Sequence, residues 1–186
     1  MSNQILKYEK IAPDVYAALA STERTGWVQH GVVRPETVKD HTLALLALAD
    51  ELAPLLKDVD ATELKTMLEI HDWPEAICGD EVLLDAGQND YDSLQKLKFE
   101  REKSAMEKIC KSLNSSDDLF LLWLRFETST DEVADLARQL DKYQAVEQAY
   151  NYQKEQGINL FDEFKAYSIK YISHPVLLDR LKSLEA

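Results

Sequence analysis

The spacing of apolar residues along this chain is helical almost throughout. One apolar face lies in residues 62–71 and comprises Leu64, Met67, Leu68 and His71, at intervals of three and four residues. A second face, in residues 34–53, comprises Val38, His41, Leu45, Leu48 and Leu52. Both patterns predict amphipathic helices that turn a histidine, together with aliphatic side chains, toward the core.

Similar patterns predict helices over most of the remaining chain. They cover residues 3–22 (with an irregularity near Pro13), 92–113, 117–127, 130–156, 160–172 and 176–185. Between Glu81 and Asp90 the periodicity fades and Gly, Asn and Asp accumulate, which predicts a surface loop of the kind that often acts as a lid. Five glycines and five prolines are few for an all-β chain, so the predicted fold class is all-α.

Pro74 predicts a break in the chain directly after His71 and Asp72. Proline disfavours the helical conformation in the preceding residue and suits the first turn of a new helix, so Glu75 should open the next helix. With Asp80 nearby, one imidazole and three carboxylates fall within ten residues. The alternative is a core histidine beside a helix-capping aspartate.

The composition bounds the class of protein. A length of 186 residues, 45% of them apolar, predicts one soluble globular domain over residues 1–186. The formal charge of −13 argues against a long nucleic acid as partner and leaves a small anion as the ligand. Two cysteines outside any metal-type spacing, a start without signal-peptide features and no long apolar run predict a cytoplasmic protein without a membrane span.

Three further positions are candidates for a site. His41 interrupts an apolar face and needs a partner, because burying an unpaired polar group costs about 1–3 kcal/mol; either a backbone carbonyl satisfies it, or it shares a ligand with His71. Asp141 has alanines one turn away on both sides, which leaves room for a ligand, although an exposed aspartate is the alternative. Arg24 offers a planar donor group that suits phosphate. Arg24 as a solvated turn residue and Trp27 as core filling remain open.

Together, His41, His71, Asp72 and Asp141 supply two imidazole nitrogens and two carboxylates from three predicted helices. A helical bundle can direct such groups at one interior point. This mixture of ligands suits one divalent ion such as Mn²⁺, Co²⁺, Fe²⁺, Zn²⁺ or Ni²⁺, with Mg²⁺ as a further candidate.

In this order of residues the chain resembles the HD-domain phosphohydrolases, and more closely their branch of 5′-deoxynucleotidases and HD domain-containing protein 2. The similarity covers about residues 20–180. The matching segments are Arg24-Thr25-Gly26-Trp27, Arg34-Pro35-Glu36-Thr37-Val38 with Asp40-His41, His71-Asp72 with Glu75 and Gly79-Asp80, Gln139-Leu140-Asp141-Lys142, and Ser173-His174-Pro175. One departure is Glu81-Val82-Leu83, where the family commonly has Ile-Thr-Pro.

The resemblance implies an HD-domain helical bundle whose core holds one divalent metal ion on His41, His71, Asp72 and Asp141. It implies that Glu75 and Asp80 assist catalysis or orient the attacking water. It also places Arg24 and Trp27 in a segment that recognises phosphate and sugar. The implied reaction removes phosphate from a deoxyribonucleoside 5′-monophosphate, in a homodimer.

Two other functions stay open at this point. A phosphohydrolase for a cyclic nucleotide or a nucleoside polyphosphate would keep the metal residues and differ in the shape of the pocket. A non-catalytic nucleotide- or metal-binding module would need neither Glu75 nor Asp80. Lys142 and Arg34 are further candidates for contacts with the phosphate oxygens.

Overall fold

The computed structural model describes residues 6–56, 59–83, 88–113 and 117–185, and the regular elements in these ranges are all helical. The α-helices are α1 (Pro13–Leu19), α2 (Thr25–Gln29), α3 (Val38–Leu52), α4 (Ala61–Ile70), α5 (Glu75–Cys78), α6 (Gln88–Ser112), α7 (Asp117–Thr128), α8 (Glu132–Gln156), α9 (Phe161–Ser168) and α10 (Pro175–Leu184). Short 3-10 helices cover Ala53–Leu55 and Ile169–Tyr171. The all-α fold class is confirmed.

Local sequence explains where the central helices begin. Thr37 and Asp40 form a reciprocal capping box at the start of α3, in which each side chain accepts from the backbone N–H of the other residue. Asp60 caps α4 through the N–H groups of Thr62 and Glu63, and Asp131 caps α8 through that of Ala134. These side chains satisfy N–H groups that have no partner inside the helix.

Two predicted boundaries are wrong. In the described part of the chain, the helix expected over residues 3–22 covers Pro13–Leu19; it begins at Pro13 because proline fits the first helical position and Ala12 before it has non-helical angles (φ −124°, ψ 48°). The loop expected over residues 81–90 is already helical from Gln88. Residues 1–5 and 84–87 lie outside the described part of the chain.

The break at Pro74 is confirmed. Helix α4 ends at Ile70, the chain turns through residues 71–74, and α5 opens at Glu75. Trp123 of α7 donates its indole N–H to the carbonyl oxygen of His71 at 3.0 Å, which holds this turn against the core.

The core lies where α3, α4 and α8 pack against one another. The apolar face predicted for α3 is buried at all five positions, His41 among them. His41 on α3, His71 after α4 and Asp141 on α8 are buried on three elements that are in mutual contact. In the part of the chain that the structure describes, no helix is both long enough and apolar enough to cross a bilayer.

Candidate metal centre

The orientation of His71 is set by its own helix end. Its Nδ1 lies 2.9 Å from the carbonyl oxygen of Leu68, and because a carbonyl only accepts, Nδ1 carries the hydrogen. In the neutral imidazole Nε2 then carries the lone pair, and this atom lies 3.1 Å from Oδ2 of Asp72. The ring of Phe126 lies against the imidazole, with its centroid 5.0 Å away.

His41 meets the same carboxylate from α3. The side chain of His41 is fully buried, and its Nδ1 lies 2.7 Å from Oε1 of Gln144 on α8. Its Nε2 lies 3.1 Å from Oδ1 of Asp141 and 3.7 Å from Oδ2 of Asp72. The centroids of the two imidazole rings are 5.6 Å apart.

These contacts fit a bound cation. Both Nε2 atoms are buried and form no hydrogen bond within the described residues, although carboxylate oxygens lie beside them. A carboxylate beside each Nε2 atom favours a positive charge there: without a cation, burial alone would lower the pKa of His71 but Asp72 raises it, and a bound cation would supply that charge in place of the proton. Ligand atoms of His41, His71 and Asp72 all lie within 4.8 Å of one another. Neutral imidazoles and carboxylates together suit a divalent transition ion.

Two cationic side chains flank the carboxylates of this centre. Arg24 places Nη1 3.2 Å from Oδ2 of Asp72, and Lys142 places Nζ 3.0 Å from Oδ2 of Asp141. Burial alone would raise the pKa of Asp72, but His71, Arg24 and His41 hold it below its usual range. Burial alone would also raise the pKa of Asp141, but Lys142 and His41 hold it below its usual range. Both carboxylates are therefore ionised and able to bind a cation.

Glu75 is the third carboxylate of the site, and it differs from the other two. It is buried, and its Oε2 has no hydrogen-bond partner among the described residues. Burial, followed by the charges of Asp72 and Asp80, raises the pKa of Glu75 well above its usual value. A carboxylate with a raised pKa and an unpaired oxygen is suited to accept a proton.

Asp80 holds the segment that carries Arg24. Its Oδ2 accepts from the backbone N–H of Thr25 at 2.6 Å, and its carbonyl oxygen accepts from the Thr25 hydroxyl at 2.6 Å. Thr25 is the first residue of α2 and follows Arg24 directly. The contacts of Asp80 thus fix the position from which Arg24 reaches Asp72.

Trp27 lies in the core. Only 2% of it is exposed, because its ring stacks on Phe164 at 4.3 Å and meets Tyr152 edge-on at 5.3 Å. This packing is in keeping with the alternative of core filling, and the contact of Trp27 with a sugar stays a prediction. Arg34 is exposed in the turn before α3, and its predicted phosphate contact stays a prediction.

Sequence reasoning overlooked two residues beside the centre. Gln144 lies three positions after Asp141, so helical spacing alone could have placed both on one face of α8. Lys98 lies on α6, and nothing in its sequence spacing connects it with the site. In the structure Lys98 is half-buried, and burial would lower its pKa, but Glu102 at 3.4 Å and then Glu75 raise it.

Comparison with known proteins gives a consistent result. The family model described as the HD domain matches residues 16–177. The protein named 5′-deoxynucleotidase HDDC2 of Dictyostelium discoideum is 31% identical over 146 residues, which cover 74% of this chain and 73% of the relative. The protein of that name from Homo sapiens is 30% identical over 173 residues, covering 90% and 80%. A crystal structure of a Pyrococcus horikoshii OT3 protein superposes with a TM-score of 0.70 at 28% identity, over 91% of this chain and 94% of that one.

Proposed function

Because the chain belongs to the HD-domain family, in the branch of its 5′-deoxynucleotidase relatives, we propose that it is a metal-dependent phosphohydrolase. Its proposed substrates are deoxyribonucleoside 5′-monophosphates, which it hydrolyses to deoxynucleoside and phosphate. The observation that carries the proposal is the pair of buried imidazole Nε2 atoms that share the Asp72 carboxylate. Two cationic side chains stand beside it, where a phosphate would be held.

The proposed ligands of the metal are His41, His71, Asp72 and Asp141. These residues would hold a divalent ion, which when bound would polarise a phosphoryl oxygen and lower the pKa of a bound water toward neutrality. The chain has a formal charge of −13, which by itself repels a phosphate dianion. A positive charge at this place would offset that repulsion.

The proposed phosphate contacts are Arg24 and Lys142. Each donates to one carboxylate of the centre and has further N–H groups with which to bind phosphate oxygens. They approach from different elements, Arg24 from the residue before α2 and Lys142 from α8. A phosphate bound between them would lie next to the metal ligands.

Glu75 is the proposed general base. Its burial and raised pKa favour acceptance of a proton from the attacking water, and its unpaired oxygen is free to make that contact. Asp80 is proposed to act through Thr25, which keeps Arg24 in place.

The test of this function is a phosphate-release screen with Mn²⁺ or Co²⁺. It compares deoxyribonucleoside 5′-monophosphates with ribonucleoside monophosphates, cyclic nucleotides and nucleoside triphosphates. We expect release from the deoxyribonucleoside monophosphates to dominate, to stop after chelation and to return with added metal. Undiminished turnover after chelation would refute the metal dependence, and preferred hydrolysis of a cyclic nucleotide or triphosphate would refute the proposed substrate class.

Replacement of Glu75 separates catalysis from coordination. The variant Glu75→Gln keeps the shape of the side chain and removes the base, so turnover should fall by about a hundredfold or more. The affinity for metal, measured by calorimetry, should stay close to that of the unaltered protein. Normal turnover in Glu75→Gln would mean that another group, with Asp80 the next candidate, takes the proton.

A cytoplasmic location and a homodimeric state complete the proposal. The resemblance to the 5′-deoxynucleotidase branch supports the dimer, and the exposed side chains of Tyr167, Ile169 and Tyr171 offer apolar area to a second copy. Light scattering measures the mass directly; a monomer at micromolar concentration would contradict the dimer.

A further inference from the structure

A chain of buried polar contacts continues from His41 away from the metal centre. Nδ1 of His41 lies 2.7 Å from Oε1 of Gln144, and Nε2 of Gln144 donates to Oε2 of Glu36 at 3.4 Å. The other oxygen of Glu36 accepts from the indole N–H of Trp27 at 3.0 Å. His41, Gln144 and Trp27 are buried, as is the carboxylate of Glu36.

The chemistry of these groups determines which one donates and which one accepts in each hydrogen bond. The carboxylate of Glu36 accepts at both oxygens, so it orients the Gln144 amide with its NH₂ group toward Glu36. The amide oxygen then faces His41 and can only accept. His41 must therefore carry its hydrogen on Nδ1, and its Nε2 keeps the lone pair that points at Asp72 and Asp141.

We propose that Glu36 and Gln144 are positioning residues that fix His41 in the tautomer able to bind a metal, and that Trp27 holds Glu36 in place. The inference rests on the metal centre of the proposed function. Partners that orient a ligating histidine commonly govern metal affinity by about 10- to 100-fold. Trp27 and Glu36 thereby gain a role that needs no contact with the substrate.

Glu36 is held firmly enough to perform this task. Its backbone N–H donates to the Tyr152 hydroxyl at 2.6 Å, and its carbonyl oxygen accepts from the N–H of Arg24 at 3.1 Å. The next residue, Thr37, caps α3 and pairs with Glu23 in an isolated bridge. With both backbone groups engaged and the indole fixed by stacking, the carboxylate has little freedom to turn.

The competing explanation is that these contacts only satisfy buried polar groups. Replacement of Glu36 by glutamine separates the two explanations, because it exchanges one oxygen for an NH₂ group and keeps the volume. If the remaining oxygen of the new glutamine accepts from Trp27, its NH₂ group faces Gln144. Gln144 must then accept with its own oxygen, which turns its NH₂ group toward Nδ1 of His41. Nδ1 then accepts, and the hydrogen of the His41 ring moves to Nε2. If the oxygen serves Gln144 instead, two donors meet at Trp27. The first arrangement therefore gives His41 the tautomer with hydrogen on Nε2, and the second loses the hydrogen bond of Trp27.

The experiment measures the affinity of purified protein for Co²⁺ and Mn²⁺ by calorimetry in Glu36→Gln, Gln144→Met and a matched control, Gln139→Met. Methionine keeps the approximate volume of glutamine and removes its polar contacts. Gln139 is also a buried glutamine of α8, whose Oε1 accepts from the backbone N–H groups of Ser173 and His174 at 2.8 Å. The control thus removes an amide of similar burial without touching a metal ligand.

Nitrogen-15 spectra of the histidine rings report the tautomer independently. In the metal-free unaltered protein we expect hydrogen on Nδ1 of His41, and in Glu36→Gln a mixture or a shift to Nε2. The dissociation constant for metal should rise about 10- to 100-fold in Glu36→Gln and Gln144→Met and stay unchanged in Gln139→Met.

Three results would overturn the inference. They are unchanged affinity in Glu36→Gln, an equal loss of affinity in Gln139→Met, and hydrogen on Nε2 of His41 in the unaltered protein. If Gln144→Met does not fold, the affinity of Glu36→Gln and the ring spectra still test whether Glu36 sets the tautomer of His41. If the unaltered protein binds neither ion, the proposed function fails on its own, while the spectra of the metal-free protein still test the tautomer.

Discussion

The two histidines of the candidate metal centre are oriented by different means. His71 donates its Nδ1 hydrogen to the carbonyl of Leu68, three residues earlier in the same segment. His41 donates the equivalent hydrogen to the side chain of Gln144, which lies 103 positions away on another helix. Both rings present Nε2 to Asp72.

The difference shows where such a site is vulnerable. The support of His71 is a backbone carbonyl at a helix end, so the replacement of another side chain does not remove this acceptor. The support of His41 exists only once α3 and α8 have packed together, and a single substitution can abolish it. A metal ligand can therefore be secured locally by a helix terminus or globally by the fold.

Replacement of Asp72 should have the largest effect, because its carboxylate lies beside both histidines. The variant Asp72→Asn keeps the shape and removes the charge that faces both Nε2 atoms. We expect the affinity for Co²⁺ to fall by more than the roughly hundredfold loss typical of a supporting residue. Calorimetry checks the affinity, and circular dichroism checks that the helices persist. Unaltered affinity for Co²⁺ in Asp72→Asn would mean that this carboxylate is not a ligand of the metal.

Replacement of Leu68 tests whether His71 depends only on the backbone. The variant Leu68→Ala removes a fully buried side chain, so the free energy of unfolding should fall by about 2–5 kcal/mol. The carbonyl remains, so the affinity of the folded protein for metal should not change. Denaturant unfolding and a Co²⁺ titration measure both quantities. The control is Leu64→Ala, one turn earlier on the same buried face; a loss of affinity confined to Leu68→Ala would mean that side-chain packing also orients His71.

The same distinction explains how much of the molecule could be predicted from its sequence. Helices α3 and α4, the turn at Pro74 and the burial of His41 and His71 follow from periodicity, caps and proline, which act within a few residues. They were predicted closely.

Contacts between distant segments were not predictable in this way. The hydrogen bond from the Thr25 N–H to Asp80 joins residues 55 positions apart, and the burial of Trp27 depends on Phe164 of α9. The sequence motif around Arg24 predicts Trp27 as a substrate contact, and it gives no sign that the indole N–H donates to Glu36. Only packing decides which face of such a segment meets the ligand.

The smallest predicted effect concerns the helices that carry the two supports. Asp131 caps α8, the helix of Gln144, and Asp60 caps α4, the helix that ends at His71. Either replacement by alanine should lower the free energy of unfolding by about 1 kcal/mol at neutral pH. Asp131→Ala should cost slightly more, because Asp131 also receives hydrogen bonds from Arg125 and Ser129.

Measurements against pH sharpen this last prediction. Bonds from Arg125, Ser129 and the Ala134 N–H, in that order, hold the pKa of Asp131 below its usual range. A lowered pKa in the folded state contributes stability that is complete above the unfolded value, about 3.9, and is lost as the pH falls through the folded value. The difference in unfolding free energy between the unaltered protein and Asp131→Ala should therefore be constant above about pH 5 and shrink in stronger acid. Urea unfolding at a series of pH values measures that difference; a gap that widened in acid would mean that the Asp131 carboxylate does not stabilise α8 in its charged form.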